Sequence, residues 1–486
     1  MISDEVEPRQ QLLPPSSSAP SAEHFLSPSF RSLERLRAAL DQLGEELQRR
    51  APSRKAASAL ALGVLTALYL RWSKDEVHVY AQRNEMTEII MVFLSLDAKS
   101  AFKSTWATHN GHFSTLQGYL RPQPPCLPCT RELIYADDGG HFALEWLNER
   151  VSDSLEASAR SPENMLGLAE DLRTRPIVCI LHGVNDSGQH PYMRHLAHVV
   201  CTRKGWRAVC MTYRGCGSLS LTSAQAYDAA NTGDVALAVE TICARFPAAP
   251  LFLVGFSLGA NIMVKYLGEQ GARVRQRVWG AVAISNPWAF HPHLESLHYT
   301  SKPRSLRRIP AWIYSFLVAY EYKKYVRRHR AQLADRLKAL QRPLESMHTL
   351  RDLDENITVP LNGWKDLEHY MTSASSSEWL RHVEVPLLGV NALDDPLVSR
   401  EALTHTIERA SRNPNVILVT TTRGGHIGWG GQAKTASWAE NLCVDFLQAC
   451  ARMQDTMGDS RGHVLNKGPE GEEMKREGNK TLLSRL

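Results

Sequence analysis

The chain has 486 residues, 43% of them hydrophobic and 22% charged, a composition ordinary for a globular protein with a sizeable core. Its length suits one large α/β domain with extensions, or two domains. A net charge of +5 is too mild to argue for a nucleic-acid partner.

Residues 1–30 are expected to be disordered, because 14 to 30 ("PPSSSAPSAEHFLSPSF") is rich in Pro and Ser. A helical region is expected over 31–104. Leu33, Leu36, Leu40, Leu43 and Leu47 recur at steps of 3, 4, 3 and 4, one stripe of an amphipathic helix. Residues 56–70 ("AASALALGVLTALYL") are apolar except for Ser58 and Thr66. As a helix they would rise roughly 22 Å, short of the ~30 Å hydrocarbon core, yet able to span it with local thinning. Arg49, Arg50, Arg54 and Lys55 precede the segment, and Arg71 and Lys74 follow it. It is therefore read as a candidate single-pass membrane anchor with its amino end cytoplasmic.

Cys126 and Cys129 form a C-x-x-C with prolines around it and no second pair, so no metal site is expected. The other cysteines are scattered. Cys179, Cys210 and Cys443 fall in apolar runs and read as buried thiols.

From about residue 130 the pattern changes. "ELIYADDGGHFALEW" reads as two strands around an Asp-Asp-Gly-Gly turn. Apolar strand-like runs follow at 176–183, 206–215, 251–257, 278–285, 385–392 and 415–421, alternating with helical stretches. This predicts an α/β fold, a mostly parallel sheet with helices on both faces. The alternation lapses over about 286–384, which reads as a helical cap inserted over one end of the sheet. Between Lys302 and Arg342 stand twelve Lys or Arg against Glu321 and Asp335, interleaved with Trp312, Phe316, Tyr320, Tyr322 and Tyr325. Such a basic, aromatic segment (302–342) suits a lipid surface, or a solvated face whose apolar side packs over the site. Residues 451–486 are polar and charged, and are expected to be disordered.

Gly255-Phe256-Ser257-Leu258-Gly259 joins an apolar strand to a helix. A serine on such a turn sits at a helix amino terminus, where backbone N–H groups and the dipole favour negative charge. A hydroxyl nucleophile needs a base, and the base an orienting acid; in this arrangement they follow in the order acid, histidine. Asp394-Asp395 comes right after the strand "VPLLGVNA", and His426 lies in a Gly-Gly-His loop after the next strand. The expected triad is Ser257, Asp395 and His426, with Asp394 the alternative acid. The expected oxyanion donors are the N–H groups of Leu258, after the serine, and Val184, in the loop after the 176–183 strand.

Six ordered stretches, "HGVNDSGQHPYMRHL", "YRGCGSLSLTSAQAYDAANTGDV", "GFSLGANIMVKYLGE", "TLRDLDENITVPLNGWKDLEHYMTSASS", "NALDDPLV" and "GGHIGW", resemble the YheT-like, embryogenesis-associated and abhydrolase-domain α/β-hydrolases. "HNGHFSTLQGYLRP" and "RELIYADDGGHFALEW" extend the resemblance over about residues 105–450. It implies an α/β-hydrolase domain over that range, with Ser257, Asp395 and His426 as the triad. It also implies esterase or lipase action on acylglycerols, phospholipids or short acyl esters, with no metal or cofactor. An acyltransferase using the same triad and a non-catalytic lipid-binding protein are the alternatives. "YRGCGSLSLTS" departs from the Gly-Gly-Ser that the family tends to have. The membrane-anchored animal members favour an anchor at 56–70. The terminal Ser484-Arg485-Leu486 resembles a peroxisomal address, so peroxisome and cytoplasm stand beside the membrane as locations.

Overall fold

A computed structural model of the chain describes residues 75–88, 90, 102, 104, 108–147, 173–290, 309–338, 340, 342–430 and 436–464. Nine strands form one sheet: β1 (Val77–Ala81), β2 (Cys129–Tyr135), β3 (His141–Leu147), β4 (Ile177–Leu181), β5 (Arg207–Thr212), β6 (Leu251–Phe256), β7 (Val278–Ile284), β8 (Leu387–Ala392) and β9 (Val416–Thr421). Their order is β1-β9-β8-β7-β6-β4-β5-β3-β2. From β5 through β4, β6, β7 and β8 to β9 the neighbours are parallel, and β1, β3 and β2 run antiparallel at the two ends. Strands β4, β5, β6, β8 and β9 are buried along their whole length, which is why they read as continuous apolar runs. The α/β class predicted from that alternation is the one observed, and the expected β2–β3 hairpin closes through Asp137 and Gly139.

Helices cover both faces. Helix α1 (Gly111–Tyr119) precedes the hairpin, and α2 (Pro191–Lys204) follows β4. After β5 and β6 come α3 (Gly233–Arg245) and α4 (Leu258–Gln270). Between β7 and β8 lie α5 (Ile309–Arg328), several short helical turns and α6 (Leu367–Ala374). Helix α7 (Arg400–Ala410) precedes β9 and α8 (Trp438–Val464) ends the described chain. Helices α2 and α8 pack one core layer against the sheet; α3, α4, α7 and the β7–β8 excursion pack the other.

Two boundaries differ from the sequence reading. Residues 77–81 were expected in a helical amino-terminal region, but they form β1, paired antiparallel with β9 from Val77 opposite Thr421 to Ala81 opposite Ile417. Five residues at a sheet edge, none of them fully buried, leave too short and too weak a pattern to read. The carboxy-terminal segment expected to be disordered from 451 is helical as far as Val464, since α8 anchors it through Cys443, Phe446, Leu447 and Cys450 in the core. Residues 1–74, with the leucine stripe and the candidate anchor at 56–70, lie outside the described residues, as do 465–486 with the terminal tripeptide. Among the described residues no helix is long and apolar enough to cross a membrane. All nine cysteines are free thiols, seven of them at least partly buried.

The chain leaves β4 in one direction to β5 and returns on its other side at β6. In open α/β sheets ligands collect at such a reversal, outside the carboxyl ends of the strands. That end of β6 is where Ser257 stands.

Candidate active site

Ser257 caps α4 with φ 51° and ψ −120°, a backbone that non-glycine residues rarely adopt. The turn is held by its own N–H, which donates to the Ile284 carbonyl (2.9 Å), and by its carbonyl, which accepts from the Asn261 N–H (3.1 Å). The flanking glycines are there for space. A Cβ on Gly255 would lie 2.4 Å from the Ala260 Cα, and one on Gly259 would lie 2.4 Å from the His182 carbonyl oxygen. Both obstacles are backbone and cannot swing aside. Gly259→Ala is therefore expected to destabilise the fold by about 3 kcal/mol, read as a lower midpoint in urea unfolding.

The structure brings Ser257, His426 and Asp395 together. The Ser257 Oγ is 2.8 Å from His426 Nε2, and His426 Nδ1 is 2.8 Å from Asp395 Oδ2. The Asp395 carboxylate is buried, and its Oδ1 accepts from the Leu397 N–H (2.8 Å) and the Val398 N–H (3.3 Å). With the carboxylate accepting from Nδ1–H, Nε2 is left as the acceptor for the serine hydroxyl. Asp394 points elsewhere: its Oδ1 accepts from the Gly425 N–H (2.8 Å), and its Oδ2 is buried without a hydrogen-bond partner. Burial, reinforced by the neighbouring Asp395 charge, holds the Asp394 pKa above the ordinary carboxylate range.

The histidine loop is aimed by residues that spacing alone did not single out. Thr115 Oγ1, on α1, accepts from the His426 N–H (2.8 Å), and Ser114 donates to the Gly424 carbonyl (2.7 Å). Ser285, at the end of β7, accepts from the Ile427 N–H (3.0 Å). Helix α1 comes so close that a Cβ on Gly118 would lie 2.5 Å from the Ile427 carbonyl oxygen. The signal was in "HNGHFSTLQGYLRP", which the resemblance included but to which no role attached.

Val184 and Leu258, the expected oxyanion donors, line the same cavity as Ser257. Tyr192 and Tyr227 fix the loop around Val184: their hydroxyls accept from the Gly183 N–H (2.9 Å) and the Asn185 N–H (2.8 Å). Asp186 Oδ2 accepts in turn from the Tyr192 hydroxyl (2.7 Å). The divergent "YRGCGSLSLTS" loop lies under the helical excursion, where Arg328 donates to the Gly217 carbonyl (2.7 Å).

His182, which starts the Val184 loop, is wholly buried; its Nε2 accepts from the Tyr213 N–H (3.2 Å), and Nδ1–H donates to the Gly183 carbonyl (2.6 Å). Burial lowers its pKa to about 4, and a second ring proton would also face the Tyr213 donor. The unfolded chain takes up that proton near pH 6.5 and the folded chain only near 4, so stability contributed by the neutral ring is complete above 6.5 and lost as pH falls. This group is expected to cost about 2 kcal/mol between pH 7 and 5. Urea unfolding at the two values checks it: the wild type should lose that much more than His182→Gln.

The cavity beside Ser257 has a volume of about 110 Å³ and walls that are largely apolar, among them Leu258, Pro287, Phe290, Val318 and Leu397. Asp228, itself buried, is among its lining residues, with Oδ1 accepting from the Ala230 N–H (2.7 Å) and the Asn231 N–H (2.8 Å). Asn261, buried on α4, ties the serine helix to the excursion by donating to the Ala374 carbonyl (2.7 Å) and accepting from the Ser376 N–H (3.2 Å). Among the described residues no group of three His, Cys, Asp or Glu stands close enough to hold a metal ion.

A mostly parallel sheet, a sharp strand-to-helix turn after β6, and loops carrying an aspartate and a histidine after β8 and β9 together define an α/β hydrolase. Residues 176–428 match the family model described as the alpha/beta hydrolase fold, and the chain belongs to that family. The resemblance to abhydrolase-domain proteins is borne out as well. A monoacylglycerol lipase of Saccharomyces cerevisiae is 30% identical over 273 residues, 55% of this chain and 58% of that enzyme's length. A phospholipase, ABHD3, of Mus musculus is 27% identical over 350 residues, 72% of this chain and 78% of its own. The embryogenesis-associated protein EMB8 of Picea glauca is 27% identical over 357 residues, 71% of each chain. A bacterial membrane phospholipase A of known structure is 14% identical with a TM-score of 0.40, covering 81% of this chain and 99% of its own.

Proposed function

We propose that the protein is a serine carboxylic-ester hydrolase, an esterase or lipase acting on acylglycerols, phospholipids or short acyl esters. The observation that carries this reading is the unbroken relay from Ser257 Oγ through His426 to Asp395, opening on an apolar cavity. In it His426 Nε2 takes the hydroxyl proton as Ser257 attacks the ester carbonyl. Asp395 holds the ring in its tautomer and steadies the imidazolium. The N–H groups of Val184 and Leu258 receive the oxyanion. The protonated His426 gives its proton to the departing alcohol, leaving Ser257 acylated. Water, deprotonated by the same ring, then releases the acid and restores the serine.

The relatives named as monoacylglycerol lipase and phospholipase support a lipid ester over other esters, and the apolar lining is consistent with an acyl chain. Association with a membrane, through 56–70 and the basic 302–342 segment, belongs to the same proposal. The test is a hydrolysis screen over short acyl esters, monoacylglycerols and phospholipids, with Ser257→Ala as the control. A rate on one class that vanishes in the variant supports the reading; rates equal in both proteins, or absent from every class, overturn it.

A further inference from the structure

Eleven large hydrophobic side chains are exposed among the described residues, and eight of them gather on two helices. Phe113, Leu116, Tyr119 and Leu120 stand on α1 and its carboxyl cap, and Ile313, Phe316, Leu317 and Tyr320 on α5. The helices are neighbours: the His112 and Tyr314 rings stack with centroids 5.7 Å apart, and His112 Nδ1 lies 3.0 Å from the Tyr314 hydroxyl. On α5 the exposed residues recur at helical spacing and the stripe continues into Lys324 and Arg327, so it is one face running from apolar to basic.

The other sides of the same helices belong to the site. Thr115 and Ser114 on α1 hold the His426 loop, while Val318 and Tyr322 on α5 line the Ser257 cavity. A monomeric soluble protein has no folding reason to collect eight apolar side chains outside its active site.

We propose that this two-helix face is a docking surface for an anionic phospholipid bilayer, which seats the Ser257 cavity against the lipid. Charge argues for that occupant. Residues 109–120 contain no acid, and the sequence puts Lys302, Arg304, Arg307 and Arg308 before α5 and Lys324, Arg327, Arg328 and Arg330 at its end. Lys324 pairs with Glu321 and Arg327 with Glu345, but both pairs are exposed and weak enough for lipid phosphates to compete. Aromatic and aliphatic side chains on one helix face that runs on into Lys324 and Arg327 are the pattern of an interfacial helix. The gain to catalysis rests on the ester-hydrolase reading; adsorption itself does not.

Hydrogen exchange on the full chain tests the surface independently of any anchor elsewhere. With vesicles of phosphatidylcholine and phosphatidylserine, peptides covering 111–120 and 313–320 are expected to exchange several-fold more slowly, and less so with phosphatidylcholine alone. No slowing, or the same slowing on raising protein concentration without lipid, overturns the proposal, the latter assigning the face to a second copy. The triple variant Phe113→Ser, Phe316→Ser, Leu317→Ser adds an activity readout. It is expected to lose about tenfold in hydrolysis of a vesicle-embedded ester while keeping a soluble short-chain ester within about twofold. Equal loss on both means the side chains are merely structural and overturns docking. If the wild type cleaves neither ester, the hydrolase reading falls and the exchange result alone decides the docking.

Discussion

Ser257→Ala is expected to lower ester hydrolysis by roughly 10⁴- to 10⁶-fold and to abolish labelling by a fluorophosphonate, with the fold retained. The size follows from what is removed. Without Oγ there is no acyl acceptor, and the 2.8 Å contact to His426 Nε2 has nothing to activate. Whatever rate remains would come from a water attacking in a site that still offers its oxyanion donors. The backbone supplies a second, independent readout. Ser257 sits at φ 51°, which costs any residue with a Cβ on the order of 1–3 kcal/mol and costs glycine little. Ser257→Gly is therefore expected to be about 1 kcal/mol more stable than Ser257→Ala while equally inactive. Urea unfolding of the two variants compares them directly, since both lack the hydroxyl. Strain held at this turn for the sake of the hydroxyl's position would be expressed as that difference. A fluorophosphonate adduct surviving in either variant would remove Ser257 from the mechanism.

Asp395→Asn is expected to cost about 10⁴-fold in kcat, and Asp394→Asn less than about tenfold, although the two carboxyls are adjacent in sequence. The difference is one of partners. Asp395 Oδ2 faces His426 Nδ1, so an amide in its place can present an N–H to that nitrogen and turn the ring to the wrong tautomer. Asp394 Oδ1 accepts from the Gly425 N–H, a bond that an asparagine carbonyl also makes. Its charge is already disfavoured by burial and by Asp395, so removing it relieves a repulsion. Steady-state kinetics on a soluble ester, with circular dichroism to confirm folding, measures both variants. Equal losses would mean that Asp394 shares the acid's work.

Much of the fold was legible because its signals are local. Buried parallel strands announce themselves as apolar runs, and the turn around Ser257 needs small residues on both sides whatever the rest of the chain does. Strand β1 and the helical stretch of 451–464 were misread for the opposite reason. Val77–Ala81 becomes a strand only because β9 offers it an edge, and α8 is carried past 450 by Cys443, Phe446 and Cys450 packed against the sheet. Thr115, Ser114, Ser285, Tyr192 and Tyr227 were unread because a threonine or tyrosine has no spacing signature for supporting a loop far away in sequence.

From the residues by themselves came the α/β class, the family resemblance, and the expectation that a serine, an aspartate and a histidine in that order form one site. Each follows from periodicity, glycine placement or chain order, which need no partner in space. Only the tertiary structure decided which of two neighbouring aspartates faces His426. That choice depends on where a side chain points after the β8 loop turns, with the Leu397 and Val398 N–H groups holding Asp395 and the Gly425 N–H holding Asp394. It also decided that α1 supports the histidine loop and shares an exposed apolar face with α5, because packing over separations of 202 and 311 residues leaves no trace in local pattern.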